Sequence, residues 1–212
     1  MKKYIIFSLL MAICFGAAAQ EQRYAVKSGI ITMEMDMMGQ AIVQEIYFDD
    51  YGAKQATVMN MRGQKTRNIV VDGKTVMVND EEKTAMTMPS MGPGGPGAGL
   101  MGSDINFLSL DEKTIKKNRI KELGEEEEII GKPCTKYSYK VLMMGSAITV
   151  YAWVYKGITL KTTMKTDFGE MGMAATKLQE DVEIDPAMFV VPEGVTIQEM
   201  RRPAGPPQGF DF

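Results

Sequence analysis

Histidine is absent from the chain, and that single omission removes much of enzymology. Without imidazole there is no Ser-His-Asp or Cys-His nucleophile arrangement and no His-ligated zinc site. Cysteine is almost as scarce: there are two, Cys14 and Cys134. The first lies in MKKYIIFSLLMAICFGAAAQ, where Lys2 and Lys3 precede an apolar run that ends in small residues at Ala17 to Ala19. That pattern is a secretory signal peptide over residues 1–19, cut near Ala19. Once it is removed, Cys134 stands alone and no internal disulfide is available, so the fold must stand on its core. Ile13 precedes Cys14 where a lipid-anchoring signal calls for a small residue, which argues against an anchor there. Beyond the leader no apolar run reaches the roughly 20 residues of a membrane span. Basic clusters are also missing: the net charge is -3, which argues against nucleic acid or an anionic membrane as partner.

What the chain has in excess is methionine, 20 residues in all. In IITMEMDM, Ile31, Met33, Met35 and Met37 alternate with Thr32, Glu34 and Asp36, the period of a half-buried strand. Turn signals follow at short intervals: Gly39, DDYG at Asp49 to Gly52, Gly63, Asp72-Gly73, and NDEE at Asn79 to Glu82. The Asp-Gly pair between IVV and TVMV is the most specific, because both central positions of a type I′ turn need positive φ. A short helix is expected between Asp104 and Asn118. Strands then resume, separated by GKP, MGS, KG and FGEMGM. The expectation is one mainly β domain over residues 20–200, with about eleven strands in an antiparallel meander that must curl. The Pro/Gly-rich 201–212 is expected to be a flexible tail.

The segments LGEEEEIIGKPCTKYSY, TVYAWVYKGITLK and ATKLQEDVEIDPAMFVVPEGV carry a resemblance. With Gly131, Cys134, Tyr137, Trp153, Gly157-Ile158, Leu160-Lys161, Asp185-Pro186, Phe189 and Pro192-Glu193-Gly194, the chain resembles an exported family of unknown function. That family is related to the LolA/LolB/LppX lipoprotein-sorting and lipid-carrying proteins. The resemblance implies a strongly curved antiparallel half-barrel with an apolar cavity for acyl chains, and it brings no catalytic residues. It also implies a periplasmic or otherwise exported, non-catalytic carrier whose partner is a lipid, an acyl chain or another hydrophobic molecule, with no cofactor. A Gly/Pro/Met loop at 88–103 stands where a lid of that family would lie.

Alternation selects Met33, Met35, Ile46, Met77 and Trp153 as cavity-lining candidates. In the stretch MTMPSMGPGGPGAGLMG, Met86, Met88, Met91 and Met101 are read as members of a loop that either forms a flap or is inert. Thioethers also select Cu(I) or Ag(I), so Met86, Met88 and Met91 form an alternative soft-metal set. An envelope interaction domain with a filled core is the other alternative. Other features have plainer readings: Glu125 to Glu128 as a solvated strand, Asp49 and Asp50 as turn formers, and Cys134 as a buried inert thiol. Tyr151, Trp153 and Tyr155 are expected to share one strand face.

Overall fold

The structure, a computed structural model, describes residues 22–37, 40–61, 64–71, 74–88, 105–143, 146–166 and 169–199. The signal-peptide, tail and most of the Gly/Pro/Met-loop expectations therefore lie outside the described residues.

The first six strands are β1 (Gly29–Met37), β2 (Gln40–Asp49), β3 (Lys54–Met61), β4 (Gln64–Val71), β5 (Lys74–Asn79) and β6 (Thr84–Met88). Helix α1 (Glu112–Asn118) follows. Then come β7 (Lys121–Ile129), β8 (Lys132–Met143), β9 (Ser146–Tyr155), β10 (Ile158–Thr166), β11 (Gly169–Glu180) and a short β12 (Thr196–Glu199). All twelve form one curved, unclosed sheet in the order β12-β6-β5-β4-β3-β2-β1-β11-β10-β9-β8-β7.

The order shows two meanders joined through β1 and β11, which pair antiparallel. This corrects the expectation of one unbroken series: β6 and β7 are neighbours in sequence but lie near opposite ends of the sheet. The twelfth strand is a second difference, since β12 runs parallel to β6. A third concerns FGEMGM, expected as a turn: β11 begins at Gly169, so most of that segment is strand.

Local chemistry accounts for the hairpins. The two-residue turns Ile130-Gly131 and Lys156-Gly157 have positive φ at both positions (48° and 75°, 49° and 83°), the type I′ geometry whose twist matches the flanking strands. A Cβ on Gly157 would also fall 2.4 Å from the Arg23 carbonyl oxygen, so glycine is required there twice over. Asp49 accepts from the Asp50 N–H at 2.8 Å to open the Asp50–Gly52 3₁₀ turn, and Asn79 Oδ1 accepts from Glu81 and Glu82 N–H. Asp111 caps α1 by accepting from Thr114 N–H, which lowers its carboxyl pKa, and Arg119 ends the helix in the left-handed region. The helix thus falls within the expected interval and occupies its last seven residues.

Two coverings close the core. Phe107 and Ile120, from the segment carrying α1, pack on Tyr139, Val150, Ala152, Val154 and Met164. The chain after β11 packs Phe189, Val191 and Val195 against Ala56, Ile69, Val76, Val78 and Ala85.

Candidate functional site

Residues directly opposite in an antiparallel ladder share a face, so the register sorts side chains without further assumption. One row runs Leu178, Ile31, Ile46, Thr57, Asn68, Met77, Met86. Another runs Met35, Met173, Thr162, Ala152, Tyr137. Together with the partners Met33–Gln44–Met59 and Met171–Met164–Val150, they define a methionine face. Met33, Met35, Met59, Met77, Met86, Met164, Met171 and Met173, the strand methionines whose side chains are described, all belong to it.

Burial divides that face. Near β1, β2 and β9 to β11 it is packed: Met33 is 2% exposed, Ile46 8% and Met164 1%. Gln44 Nε2 donates to Met173 Sδ at 3.6 Å within it. Across β3 to β6 the same face is only half-buried at Thr57, Met59, Asn68, Met77 and Met86. Asn68 Oδ1 is buried there without a hydrogen-bond partner.

In β3 to β6 the core lies on the other side, where Val78 and Ala56 are fully buried. Arg67 fastens that core's cover. Its Nε and one terminal nitrogen donate to the two Asp80 carboxylate oxygens at 3.2 and 2.8 Å. The other terminal nitrogen donates to the carbonyls of Ala187, Met188 and Val190. All three guanidinium nitrogens thus donate, two to one carboxylate and the third to backbone acceptors of the C-terminal segment.

Each candidate from alternation can now be placed. Met33 and Ile46 are on the methionine face within packed core, Met35 is half-buried against the same core, and Met77 lies in the half-open part. Trp153 pairs with Lys136 and Lys161, which puts it on the opposite face from Ala152 and Val150, although it is 6% exposed and joins the same cluster as Met33. A β-bulge between Thr159 and Lys161 lies beside it. Met86 and Met88 were expected in a loop; both belong to β6, where Met86 pairs with Met77 and Met88 with Thr75. The alternation of Thr84 to Met88 against β5, with β12 on the other edge, makes that segment a strand. Met91 and Met101 lie outside the described residues, so the full flap and the Met86, Met88, Met91 metal set cannot be assembled from described geometry.

Tyr151, Trp153 and Tyr155 share a face, as alternation implied, but sequence reading missed what sits over them. Lys161 lies 4.4 Å and Lys136 5.2 Å from the Trp153 ring centroid, and Lys132 and Lys156 lie over Tyr155. Carboxylates complete the ladder: Glu125 with Lys136, Glu127 with Lys161, and Glu180 with both Lys132 and Lys156. Glu127 and Glu180 are held below the usual carboxylate range, chiefly by hydrogen bonds from Lys161 and from Lys132 respectively. The Glu125 to Glu128 side chains are exposed, and two of the four are paired. The two lysines of KPCTK are four residues apart, and of them only Lys136 pairs within EEEE, with Glu125, while Lys132 reaches Glu180.

Cys134 is 1% exposed and burial pushes its thiol pKa up, the opposite of an activated nucleophile. A cavity of about 340 Å³ is lined by Lys27, Ser28, Asp49, Asp181, Val182, Glu183 and Ile184. It is polar and includes none of the alternation candidates. Among the described residues, no group of three or more Cys, Asp or Glu could hold a metal ion, and no helix is long and apolar enough to cross a membrane.

No family model matches the chain, and no curated relative does. Solved structures do. An uncharacterized conserved protein from Thermus thermophilus superposes with a TM-score of 0.53 at 7% identity, covering 83% of this chain and 92% of that one. MucB superposes with a TM-score of 0.50 at 12% identity, covering 82% of this chain. The alignment spans 60% of the MucB chain. A Vibrio parahaemolyticus domain described as outer membrane lipoprotein-sorting aligns over 82% of this chain and 94% of its own, with a TM-score of 0.40 at 16% identity. The fold is therefore one curved, open sheet shared with the Thermus protein and MucB, the architecture that the resemblance implied.

Proposed function

We propose that this chain is an exported, non-catalytic carrier that takes an acyl chain or similar hydrophobic ligand on the methionine face of β3 to β6. The observation that carries this reading is the half-burial of Met59, Met77 and Met86 on strands whose core lies on the other side. A sheet that already buries its apolar load on one face has no structural need for methionines on the other. Unbranched, polarizable thioethers suit a flexible chain without demanding one shape. Asn68 contributes a buried acceptor in the same row, and an amphiphile bearing an O–H or N–H beside its chain would satisfy it. Met33, Met35 and Ile46 form the wall where the open surface meets packed core. Fold similarity to MucB and to the Thermus protein supports the scaffold of this reading, not its ligand.

The packed state of the methionine face around β1, β2 and β9 to β11 favours a second reading, an interaction domain without internal ligand. Native mass spectrometry of protein purified gently from the cell envelope separates the two. A co-purified lipid, with uptake of a fluorescent fatty acid by the delipidated protein, is the expected result. Recovery free of lipid together with no uptake would leave the interaction-domain reading.

A further inference from the structure

We propose that Met59, Met77 and Met86 form a reversible oxidation switch on the ligand-bearing face, an inference that rests on the carrier reading above. The modifying reagent is a two-electron oxidant of the peroxide or hypohalous acid class. It transfers one oxygen atom to each thioether sulfur; the sulfur is oxidised to the sulfoxide while hydrogen peroxide is reduced to water, or hypochlorite to chloride. Reversal takes two electrons and two protons from a dithiol reductant, and the oxygen leaves as water.

Three features of the structure select these residues. They are half-buried, whereas Met33, Met164 and Met173 are 2%, 1% and 6% exposed. They are members of none of the three core clusters, and Met35 and Met171, the other half-buried methionines of this face, pack against two of them. At Met173 one of the two sulfur lone pairs is already engaged by the Gln44 Nε2 hydrogen bond.

The fold makes such a modification readable rather than destructive. In β3 to β6 the stabilising core is on the opposite face, formed by Ile69, Val76 and Val78 under Phe189 and held by Arg67. A sulfoxide at Met77 or Met86 therefore replaces an apolar, shapeless contact surface with a strong polar acceptor, while the packing that holds the strands is untouched. Met77 and Met86 are direct cross-strand partners, so one oxidised pair interrupts the apolar surface across both strands.

The test treats the full unliganded chain with hydrogen peroxide and follows each methionine by peptide-mapping mass spectrometry. A fluorescent fatty acid reports ligand uptake. Met59, Met77 and Met86 should oxidise about tenfold faster than Met33, Met164 and Met173. The oxidised protein should keep its melting midpoint within about 3 °C and lose affinity for the probe about fivefold. A dithiol-dependent methionine sulfoxide reductase should restore binding. In the triple variant Met59→Leu, Met77→Leu, Met86→Leu, probe affinity is compared before and after the same treatment, and whatever its starting value it should not fall on oxidation. Oxidation of Met33 or Met164 at the rate of Met77 overturns the switch, as does undiminished uptake by the oxidised protein or equal loss in the triple variant. Absence of uptake by the untreated protein instead overturns the carrier reading, and the switch with it.

Discussion

Strands β5 and β10 carry the same alternating pattern and use it in opposite senses. In β10, Ile158, Leu160, Thr162 and Met164 are buried and Met164 is on the methionine face; in β5, Val76 and Val78 are buried and Met77 on the methionine face is half-open. The sheet is continuous between them, so nothing in strand geometry reverses the sides. The coverings do: Phe107 and Ile120 close the methionine face over β8 to β10, and Phe189, Val191 and Val195 close the other face over β3 to β6. Amphipathic alternation says that a strand has two different faces, and the segment that lands on one of them decides which is core.

The comparison breaks most visibly at Met164. If β10 buries its methionine for stability, Met164→Ala should cost about 3 kcal/mol by urea denaturation, because a fully enclosed thioether leaves a cavity. Thr163→Ala, one position along on the other face and half-buried, should stay within about 0.5 kcal/mol. Equal costs would mean that β10 is not sided as described.

The cover over β3 to β6 is tested at Arg67. Arg67→Met keeps a long apolar stem but orphans the Ala187, Met188 and Val190 carbonyls, for an expected loss of about 2 kcal/mol. Asp80→Asn keeps an amide oxygen as acceptor and leaves the guanidinium on its three carbonyls, and with Asp80 44% exposed the substitution should cost about 1 kcal/mol, less than Arg67→Met. The order matters more than either size, since it says whether Arg67 acts through its ion pair or through the carbonyls of the C-terminal segment.

Much of this was legible beforehand, and the rest was not for stated reasons. The Ile130-Gly131 and Lys156-Gly157 turns announced their hairpins, because positive φ at two successive positions is a local requirement that glycine reveals, whereas Gly39, Gly63 and Asp72-Gly73 lie outside the described residues. Met33 and Met35 declared a shared face through period-two spacing alone, while the register of β2 on β1 is what brings Ile46 to it. Strand order between the halves was hidden: β1 meets β11 through contacts more than a hundred residues apart, and no local signal encodes them. The parallel β12 was also illegible, since TIQE lacks the length of a strand that pairs by itself. On the methionine face, alternation picks out Met77 and passes over Met59, whose strand reads KQATVMNM, where Ala56 and Val58 draw attention to the opposite face. Trp153 was assigned by alternation, while the Lys136 and Lys161 partners that place it on the other face are set by register.

A smaller effect belongs to the lysine–aromatic ladder on that other face, and its sign follows from Glu180. Hydrogen bonds from Lys132 and then Lys156 hold the Glu180 carboxyl below its ordinary value of 4.5, against burial. A carboxyl depressed in the folded state stabilises the fold above that ordinary value and loses the contribution as pH falls through the folded pKa. Wild-type stability should therefore decline on acidification below about 4.5, and Glu180→Gln should flatten that part of the profile. With Lys156 46% exposed, the difference should be less than about 1 kcal/mol. An unchanged acid limb in the variant would mean that the ladder is not coupled to folding.

The least effect on stability, and the sharpest cut through the comparison, is expected at Met77. Val78 beside it is fully buried, so Val78→Ala should destabilise by about 2 kcal/mol and leave fatty-acid affinity unchanged in the molecules that remain folded. Met77→Gln keeps the length and flexibility of the side chain and adds a polar amide at a position that is already half-open and lies outside every core cluster. Stability should move by no more than about 0.5 kcal/mol. Affinity for the same fatty acid should fall severalfold, because the amide must be dehydrated wherever an acyl chain lies against it. The two substitutions sit one residue apart on a single strand and should separate stability from binding completely. A Met77→Gln protein that unfolds early would place Met77 in the core, and one that binds normally would remove β5 from the ligand surface.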